Sequence, residues 1–176
     1  MGDLIISLQD ERHIISEYLL KSSPIDVNVL QRAFVTIADQ FTSLPDIQDH
    51  LMTLYHFRED LMNIKTLKAS AFKRTRVYEE INKLLLYNVA MNVKTTTSSL
   101  WRELSACSDL LRSREELSLA LTSHSYYSTE EQMDTLVISS LQTHIDSGRD
   151  SLKSTIQYLE TEKNVKEVKE LNEILI

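Results

Sequence analysis

Residues 46–147 contain neither glycine nor proline, and the whole chain of 176 residues has two of each. Sheets, sandwiches and doubly wound folds need tight turns and glycine-rich connections, which so few of these residues cannot supply. The class this leaves is all-α. The expectation is an elongated helical bundle or coiled-coil-like fold of four to five helices, the last two long and antiparallel. It forms one helical domain over 1–176, with two shorter helices in 1–44 and a long-helix bundle in 45–176. Hydrophobic residues at 42% and charged residues at 26% are ordinary globular usage, so the chain has the means to bury a core.

Apolar spacing places the helices. Leu4, Ile5, Leu8, Ile15 and Leu19 recur at helical intervals, and Ser22-Ser23-Pro24 stops that run. Pro24 suits the first turn of a second helix that buries Val27, Leu30, Phe34, Ile37 and Phe41. Ser43 followed by Pro45 and Asp46 reads as the start of a third, because the proline needs no N–H there and the carboxylate favours the helix dipole.

Turns inside the unpunctuated stretch rest on weaker signals. Thr95-Thr96-Thr97-Ser98-Ser99 looks like a loop, since such residues cost ~0.5 kcal/mol each in a helix relative to alanine. Against it, Leu86, Val93, Leu100, Cys107 and Leu121 recur every seven residues through the run. Only Arg114 breaks that row, and Val89, Leu104, Leu111 and Leu117 fill the complementary positions. Burying two more leucines at ~1.5–3 kcal/mol each would offset the propensity cost, which predicts a continuous helix from about 75 to about 122. A loop is expected at 123–127, followed by a capping box from Ser128 to Glu131. The last helix then runs from 128 to near 174 with a stripe of Met133, Val137, Ile138, Leu141, Ile145, Leu152, Ile156 and Leu159.

Catalytic constellations are missing. With glycine only at 2 and 148 no glycine-rich phosphate loop or nucleophile elbow can be built, and there is no His-Glu-x-x-His. Asp10-x-x-His13 is half of a di-iron motif with no second half, so His13, His50, His56, His124 and His144 read as surface or boundary residues. A single cysteine, Cys107, can make neither an internal disulfide nor a cysteine zinc site. No enzyme, cofactor or metal is expected. The start of the chain lacks a basic region before its apolar residues and no run approaches ~20 apolar residues, so a cytoplasmic location without a membrane span is the expectation.

One charge anomaly stands out. Lys65, Lys68, Lys73, Arg74 and Arg76 fall between Leu61 and Tyr78 with no acid among them. On a helix Lys65, Lys68, Lys73 and Arg76 share about 140° of arc, a basic stripe that either pairs with neighbouring acids or docks an acidic partner helix or anionic lipid. A net charge of −7 and the absence of interleaved aromatics disfavour nucleic acid. Trp101 in its apolar row reads as a core or interface anchor. Together these features predict a non-catalytic helical protein–protein interaction module, a scaffold, tether or complex subunit that meets a helical partner or a second copy. A peripheral membrane-binding dimer like the BAR proteins is the alternative, and a helical ligand- or metal-binding bundle comes third.

Overall fold

The computed structural model describes residues 1–20, 34, 47–63, 75–97, 99–129 and 134–160. Among them are five helices and no strand: α1 (Gly2–Leu20), α2 (Gln48–Asn63), α3 (Arg76–Thr95), α4 (Trp101–Thr129) and α5 (Thr135–Glu160). The all-α bundle that the missing glycines and prolines predict is therefore observed. The helix expected at 24–41 lies outside the described residues except for Phe34, which is helical, as does the chain beyond Glu160. No helix among the described residues is long and apolar enough to cross a membrane.

Contacts divide the chain into two compact units, Met1–Leu85 with Ser128–Glu130, and Leu86–Tyr127 with Glu131–Ile176. Helix α3 is uninterrupted and contributes residues 76–85 to the first and 86–95 to the second. In the first unit the predicted face of α1 is sealed: Leu4, Ile5, Leu8, Ile15 and Leu19 are all buried. They meet a core that includes Ile47, Leu54, Phe57 and Leu61 from the second segment and Val77, Tyr78, Ile81 and Leu85 from α3. Spacings of three and four along each helix give each an apolar stripe, which is why these segments fold as helices at all.

In the second unit α4 and α5 pack antiparallel. Ala106 O accepts from Thr155 Oγ1 at 3.3 Å, Asp109 Oδ2 from Ser154 Oγ at 2.6 Å, and Glu116 Oε2 lies 2.7 Å from His144 Nδ1. As numbers rise on one helix they fall on the other. Ala106, Ser113 and Ala120, seven residues apart and all buried, keep this face of α4 low. Gly148 then comes so close that a Cβ there would lie 2.8 Å from Leu117 Cγ.

Two predicted boundaries are corrected. The helix expected over 75–122 is broken: α3 ends at Thr95 and α4 begins at Trp101. Thr95 Oγ1 bonds back to Met91 O and Asn92 O, and Thr96 N closes a tighter turn onto Val93 O, the competition with the helix ladder that threonine hydroxyls offer. The burial that was to offset this is absent, because Leu100 and Leu104 stay 55% and 41% exposed. The loop expected at 123–127 is helix instead. Tyr126 is buried in line with Ser108, Glu115 and Thr122, and keeping it there requires α4 to continue. The break follows Thr129, and the cap of α5 is Asp134, whose Oδ1 accepts from Val137 N at 2.9 Å, in place of Ser128. In the predicted stripe of the last helix Leu141 and Ile156 are buried, whereas Ile138 is 53% exposed.

Asp134→Ala is expected to lower unfolding free energy by about 0.5–2 kcal/mol, as loss of an N-cap does, and Ser128→Ala to change it by less than about 0.5 kcal/mol. Urea unfolding of both variants checks this. The opposite order would return the cap to Ser128.

Candidate functional site

Helix α1 carries four polar residues where its pattern calls for core. Leu8, Arg12, Ile15 and Leu19 follow one another at intervals of four, three and four, and Leu4, Leu8, Glu11 and Ile15 do the same. Glu11 and Arg12 thus stand in apolar rows. Both are buried, at 0% and 1% exposure, along with Gln9 and Ser16. Charged side chains are almost never sealed this way without a specific answering group.

For Glu11 the answering groups come from two other helices. Arg58 of α2 makes a fork, Nε to Oε1 at 2.7 Å and Nη2 to Oε2 at 2.5 Å. Tyr78 of α3 donates its hydroxyl to the same Oε1 in a short hydrogen bond. One carboxylate thereby ties α1, α2 and α3 together. The aromatic surroundings exclude water: Phe57 meets the Tyr78 ring edge-on at 6.2 Å, and the Phe34 ring lies 4.9 Å from the Arg58 guanidinium carbon. Burial disfavours the Arg58 charge, but the hydrogen bonds and charge of Glu11 outweigh it and hold its pKa above the ordinary guanidinium value. Burial first, and then the Glu11 charge, push the Tyr78 phenol well above its ordinary value, so it remains a donor.

Arg12 belongs to a different face. At 100° per residue Gln9, Arg12 and Ser16 lie within about 60° of one another, whereas Glu11 points about 100° away from Arg12. This row carries a guanidinium, a carboxamide and a hydroxyl, all capable of donating hydrogen bonds, on three successive positions of one sealed helix face. Ser16 Oγ has no hydrogen-bond partner among the described residues. A row of this kind matches the acceptor oxygens of a small planar anion, for which a guanidinium offers two parallel N–H groups.

The residues singled out by charge in the sequence lie elsewhere. Lys65, Lys68 and Lys73 fall outside the described residues, and Arg76 is the exposed first residue of α3. His13, His56 and His124 are exposed, His50 and His144 half-buried, and no group of three metal-ligating side chains occurs among the described residues. Trp101 opens α4 at 44% exposure, edge-on to Tyr158 at 6.0 Å, so it is not a core anchor. The half-motif Asp10-x-x-His13 that the spacing singles out on α1 is exposed, whereas Gln9, Arg12 and Ser16 match no motif and are buried. The signal that marks it is the interruption of an apolar row by charge.

The Tyr78 geometry has a consequence at high pH. An unfolded tyrosine releases its proton near pH 10, while the folded Tyr78 holds it well beyond that, so the unfolded state binds fewer protons and stability falls as pH rises past about 10. Tyr78→Phe is expected to cost about 1–3 kcal/mol at neutral pH, through loss of a hydrogen bond to a buried charge, and to flatten this alkaline decline. Unfolding curves at pH 7 to 11 measure both. A Tyr78→Phe variant with the parent's alkaline slope would contradict the assignment.

The family model described as nitrate and nitrite sensing matches residues 3–175. No curated protein and no solved structure gives a match. The family match spans both units and includes the buried polar row of α1 as well as the α4–α5 pair. The chain belongs to the nitrate- and nitrite-sensing (NIT) family.

Proposed function

We propose that this chain is a non-catalytic sensory module that takes up nitrate or nitrite on the Gln9, Arg12 and Ser16 face of α1 and passes the binding event on to a protein partner through its helices. The observation that carries this reading is the Arg12 guanidinium sealed in a helix core beside two further donor-bearing side chains, in a chain of the NIT family. Nitrate and nitrite are planar or bent oxyanions that accept hydrogen bonds and donate none. A buried guanidinium meets such an anion with a charge-assisted, two-pronged bond that a lysine cannot reproduce. Taking the anion out of water is costly, so a site for it needs a cation that is already desolvated.

Transmission follows from the neighbouring residue. Arg12 adjoins Glu11 in sequence, and Glu11 is held by Arg58 of α2 and Tyr78 of α3. A ligand that favours one setting of α1 therefore shifts the population of settings of all three helices, by as much as its differential affinity for them. The helical interaction module expected from the sequence and the ligand-binding bundle ranked third there become two aspects of one function. The stripe of Lys65, Lys68 and Lys73 on which the membrane-surface reading rests lies outside the described residues.

Titration calorimetry with sodium nitrate and sodium nitrite, with chloride and sulfate as controls, tests the reading. The parent chain is expected to bind nitrate or nitrite in preference to the controls. Arg12→Lys is expected to weaken that binding about tenfold or more and Ser16→Ala about threefold, both with helicity retained. Binding unchanged in both folded variants, or no binding by the parent, would contradict it.

A further inference from the structure

Hydroxyls on these helices have a ready outlet, the carbonyl four residues back on the same helix. Thr53 Oγ1 donates to Asp49 O at 3.0 Å, Ser105 Oγ to Trp101 O at 2.8 Å, Thr143 Oγ1 to Ser139 O at 2.9 Å and Thr155 Oγ1 to Ser151 O at 3.1 Å. Ser16 does not follow them. The carbonyl four residues back is that of Arg12, and Ser16 Oγ bonds neither it nor any other group among the described residues. Bulk solvent does not answer it either, since Ser16 is 2% exposed. A sealed hydroxyl without a partner destabilises the fold, and a bound acceptor relieves it.

The neighbouring residue indicates which acceptor. Ser16 stands one turn along α1 from Arg12, about 6 Å up the axis and about 40° round it, so both belong to the same sealed face. A guanidinium offers two parallel N–H groups and takes two oxygens of an oxyanion. Nitrite has only two oxygens, and that fork uses both. Nitrate has a third, directed away from the fork, which needs a donor of its own. With nitrate in place the Ser16 hydroxyl has an acceptor, whereas with nitrite it stays unanswered. A site built to bond one group of its ligand discriminates against an analogue that lacks the group, because a buried donor is then left unpaired. The fork by itself favours the other order, since nitrite spreads its charge over two oxygens and nitrate over three.

We infer that Ser16 reads the third oxygen of nitrate and makes nitrate, rather than nitrite, the preferred ligand of this face of α1. The inference rests on the anion site proposed above. Titration calorimetry of the full chain with sodium nitrate and, separately, sodium nitrite measures the preference without any variant, and nitrate is expected to bind the more tightly. Ser16→Ala is expected to weaken nitrate binding about threefold and to leave nitrite almost unchanged, so that the preference collapses. Its unfolding midpoint without anion is expected not to fall, since the hydroxyl holds nothing there. Thr122→Val is the control: Thr122 Oγ1 on α4 is likewise buried without a hydrogen-bond partner among the described residues, and its removal is expected to leave both affinities as they were. A parent chain that binds nitrite as tightly as nitrate would overturn the inference and leave the anion site standing. Equal loss of both anions in Ser16→Ala, or the same collapse of preference in Thr122→Val, would do so too. A parent that binds neither anion would overturn the site and the inference together.

Discussion

A carboxylate fully withdrawn from water is the constraint on which the first unit depends. Glu11 is sealed on α1, and leaving it unanswered would cost several kcal/mol, so α2 must present Arg58 and α3 must present Tyr78 at positions that both reach it. Apolar packing alone tolerates a helix sliding or rotating by a fraction of a turn. A two-pronged arginine and a tyrosine hydroxyl on the same carboxylate do not, because each has a narrow range of geometry. Matched apolar residues in place of a buried ion pair often leave stability intact, but here they would surrender the fixed register of α1. That register determines where Gln9, Arg12 and Ser16 stand.

The second unit is held differently. Its core relies on small residues, Ala106, Ser113 and Ala120 on α4 and Gly148 on α5, which let two helices approach closely with side-chain hydrogen bonds at the margin. Much of the larger apolar surface of α4 is left outward. On the proposed reading, it is the polar, tightly specified cluster of the first unit that suits recognition of a small anion.

The sequence made the helices legible because helix formation here rests on apolar spacing, and Leu4, Ile5, Leu8, Ile15 and Leu19 are as buried as their spacing predicts. Boundaries were less legible. The row from Leu86 to Leu121 keeps its seven-residue spacing across the threonine run, yet Leu100 and Leu121 are exposed; the periodicity is real, but it does not report burial within the chain. The capping box at Ser128 was outweighed by Tyr126, whose burial is a tertiary fact. The polar row of α1 could have been found by asking which charges interrupt an apolar stripe. Its answering groups, Arg58 and Tyr78, are 47 and 67 residues away from Glu11 and carry no local sign of their role.

If nitrate or nitrite binds against the buried polar row of α1, the Glu11 cluster carries its effect to α2 and α3. Hydrogen–deuterium exchange on the full chain with and without saturating nitrate or nitrite tests it most directly, because it reports where the backbone is stabilised. Added protection is expected in residues 9–16, with weaker protection around Arg58 and Tyr78. Protection confined to α4 and α5, or binding that leaves α1 unchanged, would contradict it.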